Sequence, residues 1–312
     1  MRVFITGGMG FVGTNLTKVL SANAHAVTVL DRSIHEERPV PEGVSRVQGD
    51  STKPGPWQEE VAEHDVVINL AGASIFQRWN SEVKRAIRES RILTTRNVVD
   101  ALGARKSEET HLFSTSAVGY YGFHGDELLS EDDPAGNDFL AQVGVDWEAE
   151  ALKARDHGAR VVLTRFGLVL GRKGGVLGQL APLFNRYLGS PLGSGKQWFS
   201  WVHAEDLANM YLFLLDRKEI EGPVNCTAPN PVRNRELTYT LAEALGKPVT
   251  MPFVPGFMLR LVLGEFANII LEGQRVVPNR LLESGFQFRF PTLKEALADI
   301  LESWERDVIC IA

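Results

Sequence analysis

MRVFITGGMGFVGTN, residues 1–15, decides the reading of the fold. Arg2 to Thr6 reads as a short buried strand, and Gly7, Gly10 and Gly13 follow it at three-residue spacing. Val12, Leu16, Val19 and Leu20 then recur at a helical period. Strand, glycine turn and helix in that order form a dinucleotide-binding signal. The glycines let the backbone turn tightly and come close to a pyrophosphate, and the helix N-terminus offers it unpaired N–H groups. A glycine-rich turn without a ligand is the blander alternative. The flanking elements, and Asp31 at the end of the next strand, favour the ligand. Gly7, Gly10, Phe11, Val12 and Gly13 are thus assigned to a cofactor.

Working outward, strand and helix alternate. Strands are expected at Ala26 to Leu30, Val44 to Gln48, Val66 to Leu70, Leu112 to Ser116 and Val161 to Phe166, with helices at 81–102 and 138–156. Such alternation implies a parallel sheet covered by helices on both faces, with ligands at the carboxyl ends of its strands. The fold class is therefore α/β: a Rossmann-type doubly wound parallel sheet with a smaller C-terminal substrate lobe. After Gly171 glycine and proline become dense, and the elements shorten. That change sets the expected division: residues 1–171 as the dinucleotide-binding domain, and 172–312 as the substrate lobe with its C-terminal helical segment. In the lobe, a strand is expected at 198–202 and single helices at 255–272 and 292–304.

The totals limit the function classes. The chain has 312 residues, 44% hydrophobic and 23% charged, as in a soluble globular protein. Net charge is −6 and no basic run points to nucleic acid. Cys226 and Cys310 lack metal-ligand spacing and read as reduced cysteines. With the first strand starting at residue 2 and no apolar run long enough to span a bilayer, the expectation is a cytoplasmic protein without signal peptide or membrane contact.

Side chains at the strand ends carry the candidate chemistry. Asp31 suits free ribose hydroxyls, whereas Arg32 can clamp a 2′-phosphate, so charge alone leaves NAD and NADP both open. Arg91 adds a second cation if its helix face turns towards the adenosine end; a solvated arginine is equally compatible. Asp50 is either an adenine contact or a turn aspartate. Leu70, Ala71 and Gly72 let a backbone approach the cofactor, and Phe166 closes a further strand end beside it. In STSAVGYYG, residues 114–122, Ser116 and Tyr121 are the catalytic candidates, able to polarise or deprotonate a substrate oxygen. Lys196, Trp198, Trp201, His203, Arg165, Arg233 and Arg275 are candidates for an anionic or aromatic ligand; core packing is the alternative for Trp198 and Trp201, read as sharing one strand face, and a hydrogen-bonded structural histidine at a strand-helix junction is the alternative for His203.

TGGMGFVG (6–13), NLAG (69–72), STSAVGYYG (114–122) and WVHAEDLA (201–208) resemble the extended short-chain dehydrogenase/reductase superfamily of NAD-dependent epimerases and dehydratases. The stretches GSPLGSGKQWFSWVH (189–203), NPVRN (230–234) and LEGQRVVPNRLLESGFQFRFPTLKEAL (271–297) are similar to its epimerase-like subfamily, some bacterial members of which are labelled cell-division-inhibitor-like. That subfamily carries a C-terminal segment of unknown function. The resemblance covers essentially the whole chain. It implies a catalytic tyrosine, and a lysine four residues later, on the helix at 138–156. This helix has neither: with Phe139 or Leu140 in the tyrosine position, Val143 or Gly144 stands in the lysine position. Ser116 matches the superfamily serine that assists the tyrosine.

The resulting expectation is an NADP(H)-binding epimerase or oxidoreductase acting on an unknown, sugar-like or small carbonyl substrate. NADP is preferred on the resemblance and on Arg32, with NAD the alternative. A non-catalytic NADP(H)-binding redox sensor is the competing reading. The expected partner is a small molecule and the expected state a monomer or homodimer, with the helices at 81–102 and 138–156 as the dimer surface by analogy.

Overall fold

A computed structural model of the chain describes residues 1–32, 40–105, 109–172 and 174–309, the last seven as helical backbone alone. The first half runs β1 (Arg2–Thr6), α1 (Phe11–Ala22), β2 (Ala26–Asp31), β3 (Ser45–Gln48), α2 (Trp57–Ala62), β4 (Val66–Asn69), α3 (Ser81–Gly103), β5 (Thr110–Ala117), β6 (Leu128–Leu129), α4 (Phe139–Leu152) and β7 (Ala159–Phe166). Next come β8 (Leu168–Gly171), α5 (Gly175–Asn185), β9 (Trp198–Phe199), β10 (Trp201–His203), α6 (Ala204–Asp216) and β11 (Gly222–Cys226). The chain closes with β12 (Val232–Arg233), α7 (Asn234–Ala244), α8 (Gly256–Leu263), α9 (Phe266–Leu271), β13 (Arg275–Val276), α10 (Asn279–Glu283) and α11 (Leu293–Ile309).

Seven strands form one parallel sheet in the order β11-β7-β5-β4-β1-β2-β3. Its strands alternate their side chains between two cores, as a period of two requires. Val3 and Ile5 face α1 and α6, where Leu16, Leu20, Leu207 and Tyr211 are buried. Phe4 and Val67 face α2, α3 and α4, with Trp57, Val98 and Ala151. Both faces are dry, so β4 is buried at all four positions. A third core joins α5, α7 and α11 around Trp201. After β7 ends at Phe166 the chain runs outside the seven-stranded sheet, β8 pairing with β10, and it returns with α6 and β11 to complete the sheet and its cover.

Register brings the strand ends together. Asn69 pairs with Thr6 and with Ser114, and Ser116 pairs with Arg165. The groups that a ligand at the carboxyl edge would meet therefore lie side by side. Two expected elements are divided. The helix at 255–272 is two helices because Gly264 takes φ +61°, a conformation that ends α8. The strand at 198–202 divides at Ser200: β9 pairs with β12, and β10 with β8.

Candidate functional site

The glycine turn is fixed by close approach. Gly7 has φ +69°, and a Cβ there would lie 3.0 Å from the Ala71 backbone. A Cβ on Gly13 would sit 2.4 Å from the Gly7 carbonyl oxygen. Gly10 caps α1 without a side-chain hydrogen bond, and the first turn has no acidic residue. Its N–H groups thus face outward for an anion. Thr6 Oγ1 donates to Asn69 Oδ1 at 2.7 Å, and Asn69 Nδ2 donates to Thr95 Oγ1 at 2.8 Å. These bonds tie β1, β4 and α3 together at the sheet edge.

Asp31 ends β2, and Arg32, the next residue, is exposed. A cation unnoticed in the sequence accompanies them: Arg46 of β3 reaches back to the glycine turn, its Nη2 3.6 Å from Met9 Sδ. An arginine inside the short strand Ser-Arg-Val-Gln was the available signal. Asp50 is a turn aspartate. Its Oδ1 accepts from the Thr52 hydroxyl at 2.7 Å, a bond that lowers its pKa.

A cavity of about 410 Å³ opens from the glycine turn along the ends of β4, β5 and β7 to β9 and α9. Phe11, Val12, Leu70, Gly72, Arg91, Phe166 and Ser116 line it. Gly7, Gly10, Gly13 and Ala71 adjoin that wall in the chain, whereas Asp31 and Arg32 do not line it. Arg91 reaches the loop after β4. Its Nη1 donates to the Ala73 and Ile87 carbonyls at 3.1 and 2.9 Å, and its guanidinium lies 5.2 Å from the Trp147 ring. Burial lowers its pKa to about 10. Arg91 thus stands over the loop after β4, beside Gly72.

Behind the wall lies a buried polar network. Ser116 Oγ donates to Glu148 Oε1 at 2.7 Å. Arg165 grips the same carboxylate with Nε and Nη2, both at 2.8 Å. Burial opposes the Arg165 charge, yet Glu148 holds its pKa above the ordinary arginine value. Arg165 Nη1 donates to Tyr121 Oη at 2.9 Å, and that hydroxyl donates to Asn225 Oδ1 at 2.7 Å. Tyr121 is fully buried and does not line the cavity. Burial pushes its pKa up to about 12 despite the neighbouring guanidinium. The geometry gives no support to Tyr121 as the acid/base: the phenol is enclosed and both its hydrogen-bonding roles are filled.

Tyr120, its neighbour, lines the cavity. Arg165 lies over its ring, 3.6 Å from the centroid, and among the described residues its hydroxyl has no hydrogen-bond partner. The turn carrying both tyrosines packs on α4 at Gly144, where a Cβ would be 3.3 Å from Tyr120 Cα. The cavity face of α4 consists of Leu140, Val143, Gly144 and Trp147. None of these can shuttle a proton.

The second-lobe candidates separate. Trp198 and Trp201, three residues apart on extended chain, face opposite ways. Trp198 lines the cavity, and its Nε1 donates to Asp126 at 2.9 Å. Arg233 and Arg275 stack on its ring at 3.9 and 4.6 Å, and Arg233 also pairs with Asp126. Trp201 is in the third core, bonded to the Asn230 carbonyl. Lys196 is exposed and away from the cavity wall. His203 caps α6, its Nδ1 accepting from Glu205 N at 3.1 Å. Burial lowers its pKa to about 4, outweighing the Asp299 carboxylate 3.4 Å away, so it is a structural histidine. Glu148 and Asn225 escaped the sequence reading because each acts through a partner far along the chain. Among the described residues no His, Cys, Asp or Glu group could hold a metal ion, and no helix is long and apolar enough to cross a membrane.

Comparison with known proteins adds the following. Residues 3–226 match the NAD dependent epimerase/dehydratase family, and residues 254–300 match a domain of unknown function, DUF1731. The chain is 41% identical over 307 residues to the chloroplastic epimerase family protein SDR39U1 homologue of Arabidopsis thaliana, covering 97% of this chain and 87% of the other. Among solved structures it is similar to the human epimerase family protein SDR39U1 with NADPH, at 34% identity and TM-score 0.84, covering 97% and 99% of the two chains. It is also similar to a nucleoside-diphosphate sugar epimerase of Corynebacterium glutamicum, at 32% identity and TM-score 0.77, covering 99% of this chain and 61% of that one.

Proposed function

The chain belongs to the NAD dependent epimerase/dehydratase family, and from that premise we propose that it binds NADP(H) and acts as an epimerase-like oxidoreductase on a small molecule. One observation carries this reading: a single cavity runs from Phe11 and Val12 at the glycine turn to Ser116 and Tyr120. The cofactor fits the residues present, because Gly7 and Gly13 permit a tight turn that no Cβ could enter and the α1 N-terminus is uncapped by any side chain. In this reading Gly7, Gly10, Phe11, Val12 and Gly13 hold the pyrophosphate, and Asp31 the adenosine ribose. Arg32 and Arg46 hold the 2′-phosphate, while Leu70, Ala71, Gly72 and Phe166 receive the nicotinamide riboside.

When bound, the nicotinamide supplies or accepts a hydride. The chain's own residues orient the substrate and move its proton. Glu148 accepts the hydrogen bond of the Ser116 hydroxyl, so Ser116 offers the substrate its oxygen lone pairs. Tyr120, in place of Tyr121, carries the proton for the substrate oxygen. The apolar face of α4 favours a second reading, a cofactor-dependent sensor without turnover.

Absorbance and mass spectrometry of the purified protein test binding, since a co-purifying nicotinamide nucleotide is expected. Titration then tests the phosphate clamp. Arg32→Ala should weaken NADPH by about tenfold, the worth of one charge-assisted phosphate contact, and NADH much less. Equal loss for both cofactors would remove the clamp.

A further inference from the structure

Resting on the cofactor reading above, we infer that the substrate is a small apolar carbonyl compound or its alcohol, aryl or branched-alkyl in type and without phosphate. With Phe11, Leu70, Gly72 and Phe166 given to the cofactor, the large side chains of the remaining wall are Ile75, Phe76, Phe123, Leu140, Trp198 and Ile269, with Ser74, Ser200 and Gln274 between them. The apolar rim extends beyond the cavity: Phe76 meets Phe266 of α9 edge-on at 6.0 Å. Ser116 and Tyr120 supply the few convergent polar groups that orient a ligand in such a pocket.

The charges argue against a nucleoside diphosphate. Among the described residues, three charged ones line the cavity: Arg91, Asp138 and Glu272. Arg91 stands at the loop after β4, its Nη1 bonded to two backbone carbonyls. Asp138 caps α4 through Oδ1, at 2.8 Å from Leu140 N and 3.1 Å from Ala141 N. Glu272 is exposed at the rim. A diphosphate in the distal half would thus meet two carboxylates, a juxtaposition that penalises binding. Arg233 and Arg275 do not line the cavity and are stacked on Trp198. Size points the same way. About 410 Å³ is near the lower end for one drug-sized ligand, and the cofactor occupies part of it. The name of the Corynebacterium relative would lead one to expect a nucleotide sugar, and this wall is built for something else.

The test uses the full chain loaded with NADPH, whose emission first reports cofactor binding. Acetophenone is then titrated, and in parallel UDP-glucose. Acetophenone should change the bound NADPH emission saturably, and UDP-glucose should not. Phe76→Asp and Phe123→Asp place a charge at exposed wall positions and should each weaken acetophenone about tenfold or more. NADPH affinity should stay unchanged, which shows that the variants fold. Saturable binding of UDP-glucose, no saturation by acetophenone, or unweakened acetophenone binding in both variants overturns the inference. If NADPH fails to bind, the cofactor reading fails separately. Acetophenone is then scored by quenching of the tryptophan emission of Trp147 and Trp198, with the same outcomes.

Discussion

Between Gly7 and Gly13 the backbone does the work: a turn at φ +69°, a helix packed on the turn with no room for a Cβ, and first-turn N–H groups left open. On α4, at the other end of the cavity, side chains do it, and here they are Leu140, Val143, Gly144 and Trp147, with Glu148 buried behind them. The first region has what a bound dinucleotide requires. The second lacks the hydroxyl and amine that the superfamily resemblance implies, and has instead a carboxylate that holds Ser116 and Arg165. Backbone geometry has few solutions, because only glycine can approach so closely. A proton-transfer group needs a position in space, and several elements can supply it.

The largest expected effect lies in the second region. Glu148→Ala leaves the Arg165 guanidinium, 3% exposed, without its carboxylate. Removing one partner of a buried ion pair costs about 3–5 kcal/mol, to be read from urea unfolding. Glu148→Gln, which keeps the shape and one acceptor, should cost less. A loss under about 1 kcal/mol for the alanine variant would mean that Arg165 is not held as a buried charge, and the contrast with the glycine turn would weaken.

Gly13→Val tests the first region. The added Cβ would lie 2.4 Å from the Gly7 carbonyl oxygen and 2.6 Å from Gly8 Cα, both backbone atoms that cannot swing aside. Overpacking of this kind costs about 1–3 kcal/mol, and the displaced α1 should lose NADPH affinity by far more than its stability loss accounts for. Thermal melting with NADPH titration checks both. Unchanged NADPH affinity would separate the glycine turn from the cofactor.

How far the sequence discloses these two regions follows from the physics. The strands β1, β2, β4 and β7 are legible to within a residue or two, because each is a short apolar run that stops at or just before glycine, aspartate or asparagine. The glycine turn is legible for the same local reason. The network around Glu148 is not. It depends on the register that sets Ser116 opposite Arg165 and on α4 docking beside them, contacts between residues 17 to 104 apart in sequence. The two-residue strands β6, β9, β12 and β13 are too short to leave a periodic pattern. Arg91 and Arg46 show a further limit: a cation is visible in sequence, but which strand end it reaches is decided by packing.

The adjacent tyrosines give the finest test of the contrast. They occupy one tight turn, Val118–Tyr121, and their rings are nearly perpendicular, 5.5 Å apart. Tyr121 points inward, and its hydroxyl joins Arg165 to Asn225. Tyr121→Phe leaves a buried donor and a buried acceptor unpaired, at a cost of about 1–3 kcal/mol. With its pKa near 12 the phenol stays protonated at neutral pH, so this variant should keep NADPH affinity and any ketone turnover. Tyr120→Phe should do the reverse. Its hydroxyl has no protein partner among the described residues, so stability should change by no more than about 0.5 kcal/mol. Turnover of a small ketone should fall, by the factor of about 100 or more that a positioned acid/base contributes. If Tyr121→Phe loses turnover and Tyr120→Phe keeps it, the buried network is itself the proton path, and the assignment of roles on this turn must be exchanged.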